Sequence, residues 1–443
     1  MTGITHGLQV YDRWETQTGR VRGRVMARRL ADYVRYAARL PFYKRRLAAF
    51  SPGAQYPLAG TPVLEAKDLR RLLPPRSEEL IADKSCGRNI FQSGGTTGCP
   101  KTTIFSHKEL EGLYLPNARG FHAVGLDRSD RVANLFAVGG LYMTFIHIHR
   151  MLQEFGCSNF PFSNHTPSEF VHPVCRLFKI NCFAGIASVV LNTLRDMEKM
   201  GLRGIRIEKI YYGGEHLYEA DKAELREKFG AKLIAAPGYG TVDSWYIGYQ
   251  CVRCPTGVFH AHDDQVYIEL VDEETGRHCA PGETGMMYVT AFPRLLTPIV
   301  RYRVGDLARW LPGPCSCGRT TPLFELRGRG DDVLRIGFDS VDYGFIQKMI
   351  GRVKGLLGSA QMEKRRENGR DRLILRVETP APKSARAVMR KVLEREILKE
   401  RPTLNKAVST GAVLPPEIEL LAPGAIPRNP RTGKLVRVLD VLR

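Results

Sequence analysis

The spacing of hydrophobic positions changes along the chain and divides it into regions. Between about residues 90 and 250, short apolar runs alternate with helical patterns, and Gly-rich turns follow the runs. Runs of this kind at residues 131–136, 209–212 and 232–235 are typical of strands in an α/β sheet. From 265 to 311 the pattern changes to strands joined by short turns, which predicts a β-rich subdomain.

Two further patterns extend this division toward the ends of the chain. Apolar residues at helical spacing, interleaved with arginines, predict an amphipathic helix within residues 20–50. Small and charged residues at 328–332 separate two patterned regions, and a strand-like run at 372–377 then precedes a helical stretch at 384–399. We therefore predict an α/β fold with a large N-terminal α/β domain, a β-rich subdomain within it and a small α+β C-terminal domain, over residues 1–330, about 250–330 and 331–443.

Length and composition agree with this division. A chain of 443 residues is too long for one ordinary core, and 43% hydrophobic and 25% charged residues are usual for a soluble globular protein. No apolar run approaches the ~20 residues that span a membrane. The polar N-terminus lacks the apolar stretch of a secretory signal. We expect a cytoplasmic protein that does not insert into a membrane.

The formal charge of +20 at pH 7 is concentrated near residues 20–46 and 364–372. Such clusters are compatible with nucleic-acid binding. No recognisable nucleic-acid module accompanies them, so we favour a solvated basic surface that attracts anionic nucleotides and substrates. We expect no specific nucleic acid as a partner.

A glycine-rich loop, SGGTTGCPK at residues 93–101, carries the strongest local signal. It lies between two apolar stretches, so it is expected to join two strands. Its glycines let the backbone approach phosphate oxygens closely, while N–H groups, hydroxyls and the lysine bind them. The residues expected to surround a polyphosphate are Ser93, Gly94, Gly95, Thr96, Thr97, Gly98 and Lys101. The alternative is a merely flexible Gly/Thr turn. The loop is not a Walker A motif, because Pro100 stands where that motif has glycine.

Five more segments follow in order: GGE, YGTVD, RYRVGD, GRGDD and PRTGK, at residues 213–215, 239–243, 301–306, 328–332 and 430–434. With the loop, they resemble the phosphate-binding, adenine, magnesium, Tyr-Arg-Thr-Gly-Asp, hinge and catalytic-lysine segments of one superfamily. That superfamily contains acyl-CoA synthetases, peptide-synthetase adenylation domains and luciferases. One match would carry little weight, whereas six in family order cover roughly residues 90–440.

This resemblance implies an ATP-dependent, AMP-forming ligase with an adenylate intermediate. It assigns Lys434 and Arg329 to catalysis and Asp306 to the ribose hydroxyls. A small C-terminal domain that rotates to deliver Lys434 is also implied. Magnesium would be held by Asp243 or Thr97. ATP would be bound by the loop and by Gly214, Glu215, Tyr239, Gly240, Thr241 and Asp306.

Two departures from the family pattern matter. Position 243 is Asp where the family usually carries Glu, so the carboxylate is one methylene shorter and a water could bridge it to magnesium. Residues 336–341 replace the family's usual Arg-Gly-x-Asn-Val run, which belongs to the conformation for thioester formation. The second departure leaves adenylation untouched but puts coenzyme A in question as the acceptor.

Within the superfamily, the chain is most similar to the phenylacetate–coenzyme A ligase branch and to the adenylating enzymes of phenazine-type antibiotic pathways. This resemblance rests on residues 257–260, 296–303 and 315–320. The branch implies aryl or arylacetic acids as substrates. Residues 137–142, 183–186 and the edge near Gly214 and Tyr239 are candidates for the acceptor pocket, although such residues are as often ordinary core.

The same branch suggests a structural zinc site, which needs four Cys or His ligands. Five candidates are present: Cys251, Cys254, His260, Cys315 and Cys317. The Cys-to-His interval of the branch favours Cys254 over Cys251, so the predicted ligands are Cys254, His260, Cys315 and Cys317, with Cys251 as the alternate. The alternative is a set of reduced cysteines in a loop beside a surface histidine.

The predicted function is ATP- and magnesium-dependent activation of an aromatic carboxylic acid as its acyl-AMP, in secondary metabolism. The acyl group then passes to a nucleophile, for which the coenzyme A thiol is a candidate. The runner-up adenylates nitrite and transfers it to an aromatic amine, forming a diazo group. A third interpretation is a basic binding protein that has kept the fold without catalysis, which the intact Lys101, Asp306 and Lys434 disfavour. We allow for a homodimer.

Overall fold

The structure is a computed structural model that describes residues 9–93, 101–215, 217, 219–330, 332–336, 339–368, 370–428 and 434–440. Most of its helices belong to the N-terminal part. They are α1 to α8, spanning Gly19–Ala37, Pro41–Arg46, Ala66–Leu72, His107–Ala123, Thr144–Phe155, Ser168–Leu177, Ala187–Lys199 and Glu219–Phe229. The amphipathic helix predicted within residues 20–50 is confirmed as α1 and α2.

A five-stranded parallel sheet forms the centre of the N-terminal region, in the order β4-β3-β5-β6-β7. Both of its faces are buried, because neighbouring residues such as Cys182 and Phe183 belong to two different hydrophobic clusters. This confirms the predicted α/β class. The strands β3 to β7 span Arg131–Leu135, Ser158–Pro161, Cys182–Ile186, Lys209–Gly213 and Leu233–Ala235.

A seven-stranded antiparallel sheet stands beside it, in the order β11-β12-β13-β14-β10-β9-β8. It includes the predicted β-rich stretch, although its first strand already begins at Tyr239. The strands β8 to β14 span Tyr239–Thr241, Trp245–Tyr249, Val258–Ala261, Val266–Val271, Gly285–Ala291, Ile299–Leu311 and Leu323–Arg329.

The C-terminal residues build a separate hydrophobic core, whose buried side chains run from Leu334 to Leu420. A four-stranded sheet in the order β19-β18-β17-β20 packs with three helices around this core. A hairpin, β15 and β16, precedes it at Val333–Ile336 and Asp339–Asp342. The strands β17 to β20 span Ala360–Glu367, Arg370–Glu378, Glu417–Leu421 and Val438–Asp440, and the helices α9 to α11 span Tyr343–Gly351, Lys383–Glu400 and Pro402–Ser409.

The N-terminal segment is bound into the β-rich region rather than lying on its surface. A short 3-10 helix, Arg13–Thr16, places Glu15 against the guanidinium of Arg319, with Nε 2.5 Å from Oε1. Both side chains are fully buried, and the Tyr249 hydroxyl donates to the same carboxylate at 3.0 Å. Each charge therefore has its counter-charge inside the protein, as burial requires.

Within the ranges that the structure describes, no helix combines the length and the apolar character needed to cross a membrane.

Candidate functional site

The glycine-rich loop is held between two paired strands. The strands β1 (Arg88–Gln92) and β2 (Thr102–Ser106) form an antiparallel hairpin on either side of it. Two hydrogen bonds of 2.9 Å join the ends of the loop. The Ser93 N–H donates to the Lys101 carbonyl oxygen, and the Lys101 N–H donates to Oγ of Ser93. The predicted phosphate-binding residues Gly94, Gly95, Thr96, Thr97 and Gly98 lie outside the described residues.

Lys101 points from the end of this loop to a buried carboxylate. Its Nζ lies 2.5 Å from Oδ2 of Asp243, and the Tyr302 hydroxyl donates to the same oxygen at 2.9 Å. Burial, reinforced by the Asp243 charge, raises the pKa of Tyr302 well above its usual value, so this hydroxyl is a donor at neutral pH. The structure thus brings together Lys101 and Asp243, which the sequence assigned to phosphate and magnesium binding.

The second oxygen of Asp243 fits a role in metal binding. Asp243 is 1% exposed, and its buried Oδ1 has no hydrogen-bond partner among the residues that the structure describes. An unpaired buried carboxylate oxygen is costly unless a ligand satisfies it. Magnesium is bound by carboxylate oxygens together with substrate phosphates. The chemistry of this residue therefore fits the predicted ion.

Asp306 and Arg329 lie opposite each other on β13 and β14. The Arg329 Nη1 atom is 3.6 Å from Oδ1 of Asp306, while the Tyr239 hydroxyl donates to Oδ2 at 2.5 Å. Arg329 is partly exposed and Asp306 largely buried, with side-chain exposures of 39% and 13%. The strand register thus brings together a carboxylate, a guanidinium and a tyrosine, as the nucleotide assignment requires.

The adjacent turn is shaped by backbone contacts. A Cβ on Gly240 would lie 2.2 Å from the carbonyl oxygen of Trp245, so no larger residue fits there. The Thr241 hydroxyl accepts from the Ser244 backbone N–H at 3.1 Å. Gly240 and Thr241, both predicted to bind ATP, therefore also define the turn that carries Asp243.

Lys434 comes from the C-terminal domain and reaches the N-terminal one. A Cβ on Gly214 would lie 3.0 Å from its Cε, and its Nζ is 5.7 Å from the centre of the Tyr142 ring. Burial would raise the pKa of Tyr142, but the nearby Lys434 ammonium group lowers it overall. The predicted catalytic lysine thus lies against two predicted site regions, residues 213–215 and 137–142.

The acceptor-pocket candidates differ in their positions. Phe183, Ala184 and Gly185 belong to β5, whose residues are all buried in the central sheet. Ile186 at the end of this strand is near Gly214, with its Cγ1 3.9 Å from the position of a Cβ there. Only the end of that stretch therefore lies beside the residues that contact Lys434.

An aromatic cluster that no sequence pattern had singled out lies beside the Asp243 turn. His147 contacts the rings of Tyr114, Trp245 and Tyr246, with ring centres 4.4 to 5.4 Å apart. Within the described ranges neither ring nitrogen of His147 has a hydrogen-bond partner, and burial lowers its pKa to about 3. The sequence signal for this cluster was weak. Met143 and His147 lie four residues apart, a helical spacing that ordinary core residues also show.

The five candidate zinc ligands meet in one place. Cys251 Sγ lies 3.5 Å from Sγ of Cys254 and 3.7 Å from Sγ of Cys315. Ligand atoms of Cys251, Cys254, His260 and Cys315 all lie within 4.8 Å of one another. This set differs from the predicted one, because it contains the alternate Cys251 in place of Cys317. The Sγ of Cys317 nevertheless lies 3.5 Å from Nε2 of His260.

The spacing of these atoms fits a tetrahedral zinc ion. With Zn–S bonds of about 2.3 Å, two sulfur ligands lie roughly 3.8 Å apart. His260 Nδ1 is 2.9 Å from the Thr321 hydroxyl, which leaves Nε2 toward the sulfurs, as a ligand histidine with an outer partner would be arranged. A hydrogen bond from Cys254 lowers the pKa of the Cys315 thiol.

Comparisons with known proteins find relatives among coenzyme A ligases. No family model matches the chain. A phenylacetate–coenzyme A ligase from Thermus thermophilus is 26% identical over 437 residues, 94% of each chain. The ligase of the same name from Escherichia coli is 24% identical over 80% of this chain and 78% of its own.

Among solved structures, 2-hydroxyisobutyryl-CoA ligase in its post-adenylation state shares the fold, with a TM-score of 0.76 at 24% identity. The match covers 97% of this chain and 91% of that one. The same ligase in its thioesterification state gives a TM-score of 0.65.

Together, the fold, the order of the motifs and these relatives place the chain in the adenylate-forming superfamily. The relatives themselves are named as coenzyme A ligases. Within that superfamily it lies near the phenylacetate–coenzyme A ligase branch, as its sequence predicted.

Proposed function

We propose that this protein uses ATP to convert a carboxylic acid into its acyl-AMP and then transfers the acyl group to a nucleophile. A carboxylate oxygen attacks the α-phosphorus, a new P–O bond forms, and the bond to pyrophosphate breaks. The observation that carries this proposal is the approach of Lys434 to Gly214 and Tyr142. It brings a cation from the C-terminal domain to the predicted nucleotide site of the N-terminal domain.

Each polar group has a role in this reaction. Lys434 neutralises the charge that grows between the attacking oxygen and the α-phosphate. Asp306, oriented by Tyr239, accepts from the ribose hydroxyls, and Arg329 helps to hold the nucleotide. Lys101 and the loop that it ends hold the β- and γ-phosphates. Positioning and charge neutralisation thus supply most of the catalysis.

Two ions belong to the proposal. Magnesium, when bound, neutralises phosphate oxygens, and Oδ1 of Asp243 is the described atom best suited to hold it. Thr97, the other predicted ligand, lies outside the described residues. Zinc would close the cysteine cluster as a structural ion, because four protein ligands leave no open position for catalysis.

The substrate is proposed to be an aromatic carboxylic acid, with coenzyme A as the acceptor. Relatives named phenylacetate–coenzyme A ligase support both parts. Residues 336–341 depart in sequence from the family pattern for thioester formation, so the acceptor needs its own test. A cytoplasmic location, a homodimer and a place in secondary metabolism stay predictions.

The test is ATP–pyrophosphate exchange with purified protein and a panel of phenylacetate, benzoate, 2-hydroxyisobutyrate and nitrite. Exchange that depends on an aryl acid, and its loss in Lys434→Ala, is the expected result. Lys354→Ala, at an exposed lysine of the same domain, is the matched control.

Three other results would overturn parts of the proposal. Exchange with nitrite alone would replace the carboxylic acid by the diazotising reaction. Exchange with 2-hydroxyisobutyrate alone would remove the aromatic substrate. Absence of any substrate-dependent exchange, with Lys434→Ala equal to wild type, would indicate a binding protein. Adding coenzyme A and following thioester formation then tests the acceptor.

A further inference from the structure

Glu215 joins the two domains through backbone hydrogen bonds. Its Oε1 accepts from the N–H of Leu435, at 2.6 Å, and its Oε2 accepts from the N–H of Ser188, at 3.2 Å. Ser188 belongs to the N-terminal domain and Leu435 directly follows the predicted catalytic lysine. One carboxylate therefore contacts a fixed helix and the segment that delivers Lys434.

The contact with Ser188 orients the carboxylate before the C-terminal domain arrives. Ser188 is the second residue of α7, and the residue before that helix, Ile186, supplies no side-chain cap. The first N–H groups of a helix lack partners within it and favour a negative charge. Glu215 meets this need from another part of the chain, so its second oxygen is already directed toward position 435.

The hydrogen bond between Glu215 and the Leu435 N–H restricts the position of the neighbouring Lys434. The C-terminal sheet holds the following residues, because Gln361 donates to the Val436 carbonyl at 2.8 Å and Met362 N–H donates to the Arg437 carbonyl at 2.7 Å. Glu215 and Leu435 are both partly buried where the two domains meet. Their hydrogen bond fixes the backbone next to Lys434.

We propose that Glu215 is a positioning residue that holds the Lys434 segment in place for adenylation. The inference rests on the proposed function and goes beyond the assignment of Glu215 to ATP binding. When the C-terminal domain moves away for acyl transfer, the Leu435 bond breaks while the Ser188 bond remains.

Two variants remove the contact from opposite sides. Glu215→Ala removes the acceptor, and Leu435→Pro removes the donor N–H. We expect each to lower kcat for acid-dependent exchange by about 10- to 100-fold, the range for a hydrogen bond to a charged group. The KM for ATP stays within about twofold. The double variant should be no worse than the poorer single one, because both remove the same interaction.

Two further measurements separate positioning from a general structural effect. Transfer from chemically prepared phenylacetyl-AMP to coenzyme A should be unchanged in Glu215→Ala, since this step does not use the contact. Hydrogen exchange of the peptide covering residues 434–440 should accelerate in Glu215→Ala without nucleotide. Glu227→Gln, an exposed carboxylate on α8, is the matched control for both.

Several results would overturn the assignment. A raised KM for ATP at unchanged kcat would make Glu215 a nucleotide contact. Equal loss of both half-reactions would make it a structural residue. Unchanged hydrogen exchange of residues 434–440 would show that the contact does not hold the segment, whatever the activity. Absence of exchange activity in the wild type would instead refute the proposed function, while the hydrogen-exchange result would still decide on Glu215.

Discussion

Gly214 lies so close to Lys434 that a side chain at position 214 would have to displace the end of the lysine. A Cβ at position 214 would be 3.0 Å from Cε and 3.3 Å from Nζ of the lysine. The glycine also has a φ of +76°, a conformation that other residues adopt at a cost of about 1 to 2 kcal/mol. Both the space and the backbone at this position therefore favour a residue without a side chain.

Gly214→Ala should lower the rate of acid-dependent ATP–pyrophosphate exchange by at least about tenfold, because displacing the ammonium group weakens its stabilisation of the transition state. Gly213→Ala is the control, since its Cβ would meet Phe136 at an ordinary 3.5 Å. Thermal unfolding of both variants measures the cost in stability. Equal exchange rates in the two variants would show that the approach of Lys434 to Gly214 is not required.

Asp243→Asn should raise the magnesium concentration needed for half-maximal exchange by about tenfold or more. The substitution removes the negative charge while keeping the size of the side chain, so the unpaired Oδ1 loses most of its attraction for a divalent cation. A magnesium titration of exchange activity measures the change. Asp272→Asn, at an exposed turn, is the control, and an unaltered titration in Asp243→Asn would exclude this ligand.

The cysteine cluster should contain one zinc ion per chain, measured by elemental analysis of the purified protein. Cys254→Ser and Cys315→Ser should lose the metal and unfold at lower temperature, because the bound ion contributes to folding. Cys86→Ser, outside the cluster, should keep it. Comparing Cys251→Ser with Cys317→Ser identifies the third sulfur ligand, which completes the set of four with Cys254, Cys315 and His260. Protein that folds normally and contains no zinc would contradict the assignment.

Acid should destabilise the protein partly through His147. Burial lowers the pKa of this histidine from 6.5 to about 3, while its aromatic neighbours, including Tyr114 and Tyr246, supply no counter-charge. Above pH 6.5 the histidine is neutral in both the folded and the unfolded chain, so the protein keeps its full stability there. As the pH falls from there toward 3, the unfolded chain binds a proton that the folded chain does not. The free energy of unfolding then decreases by up to ~1.4 kcal/mol per pH unit.

Urea denaturation at pH 7.5 and 5.5 measures this dependence. The loss of stability between the two values should be smaller in His147→Leu than in the wild type, because the variant has no group to protonate at this position. His165→Leu, at an exposed position, should retain the loss seen in the wild type. An identical loss in all three proteins would show that His147 does not contribute.

The sequence predicted the fold class and the order of the motifs, because each depends on local patterns. It could not supply the contacts made by folding. Lys101 and Asp243 are 142 positions apart, and their ion pair follows from the way the hairpin and the β8–β9 turn meet. Tyr302 lay within a recognised motif, yet its bond to Asp243 depends on the position of β13 against that turn.

Other features had no local signal at all. The N–H of Leu435 is a backbone group, so the type of residue at position 435 does not indicate that this group binds Glu215. The choice between Cys251 and Cys317 as a zinc ligand also depends on the fold, because the spacing of residues along the chain does not determine the bond angles around a metal ion. Distances of a few tenths of an ångström decide such assignments, and only the packed chain provides them.

The buried pair of Glu15 and Arg319 has a consequence for the order in which the protein can form during synthesis. The two residues are separated by 304 positions, so the first segment made must wait for its partner until most of the chain has left the ribosome. Until then the Glu15 carboxylate, which is buried in the folded protein, remains in water. Long-range closure of this kind is slow, because the entropy of a large loop is lost before the contact forms. The N-terminal domain is therefore expected to complete its folding late, after translation has passed residue 319.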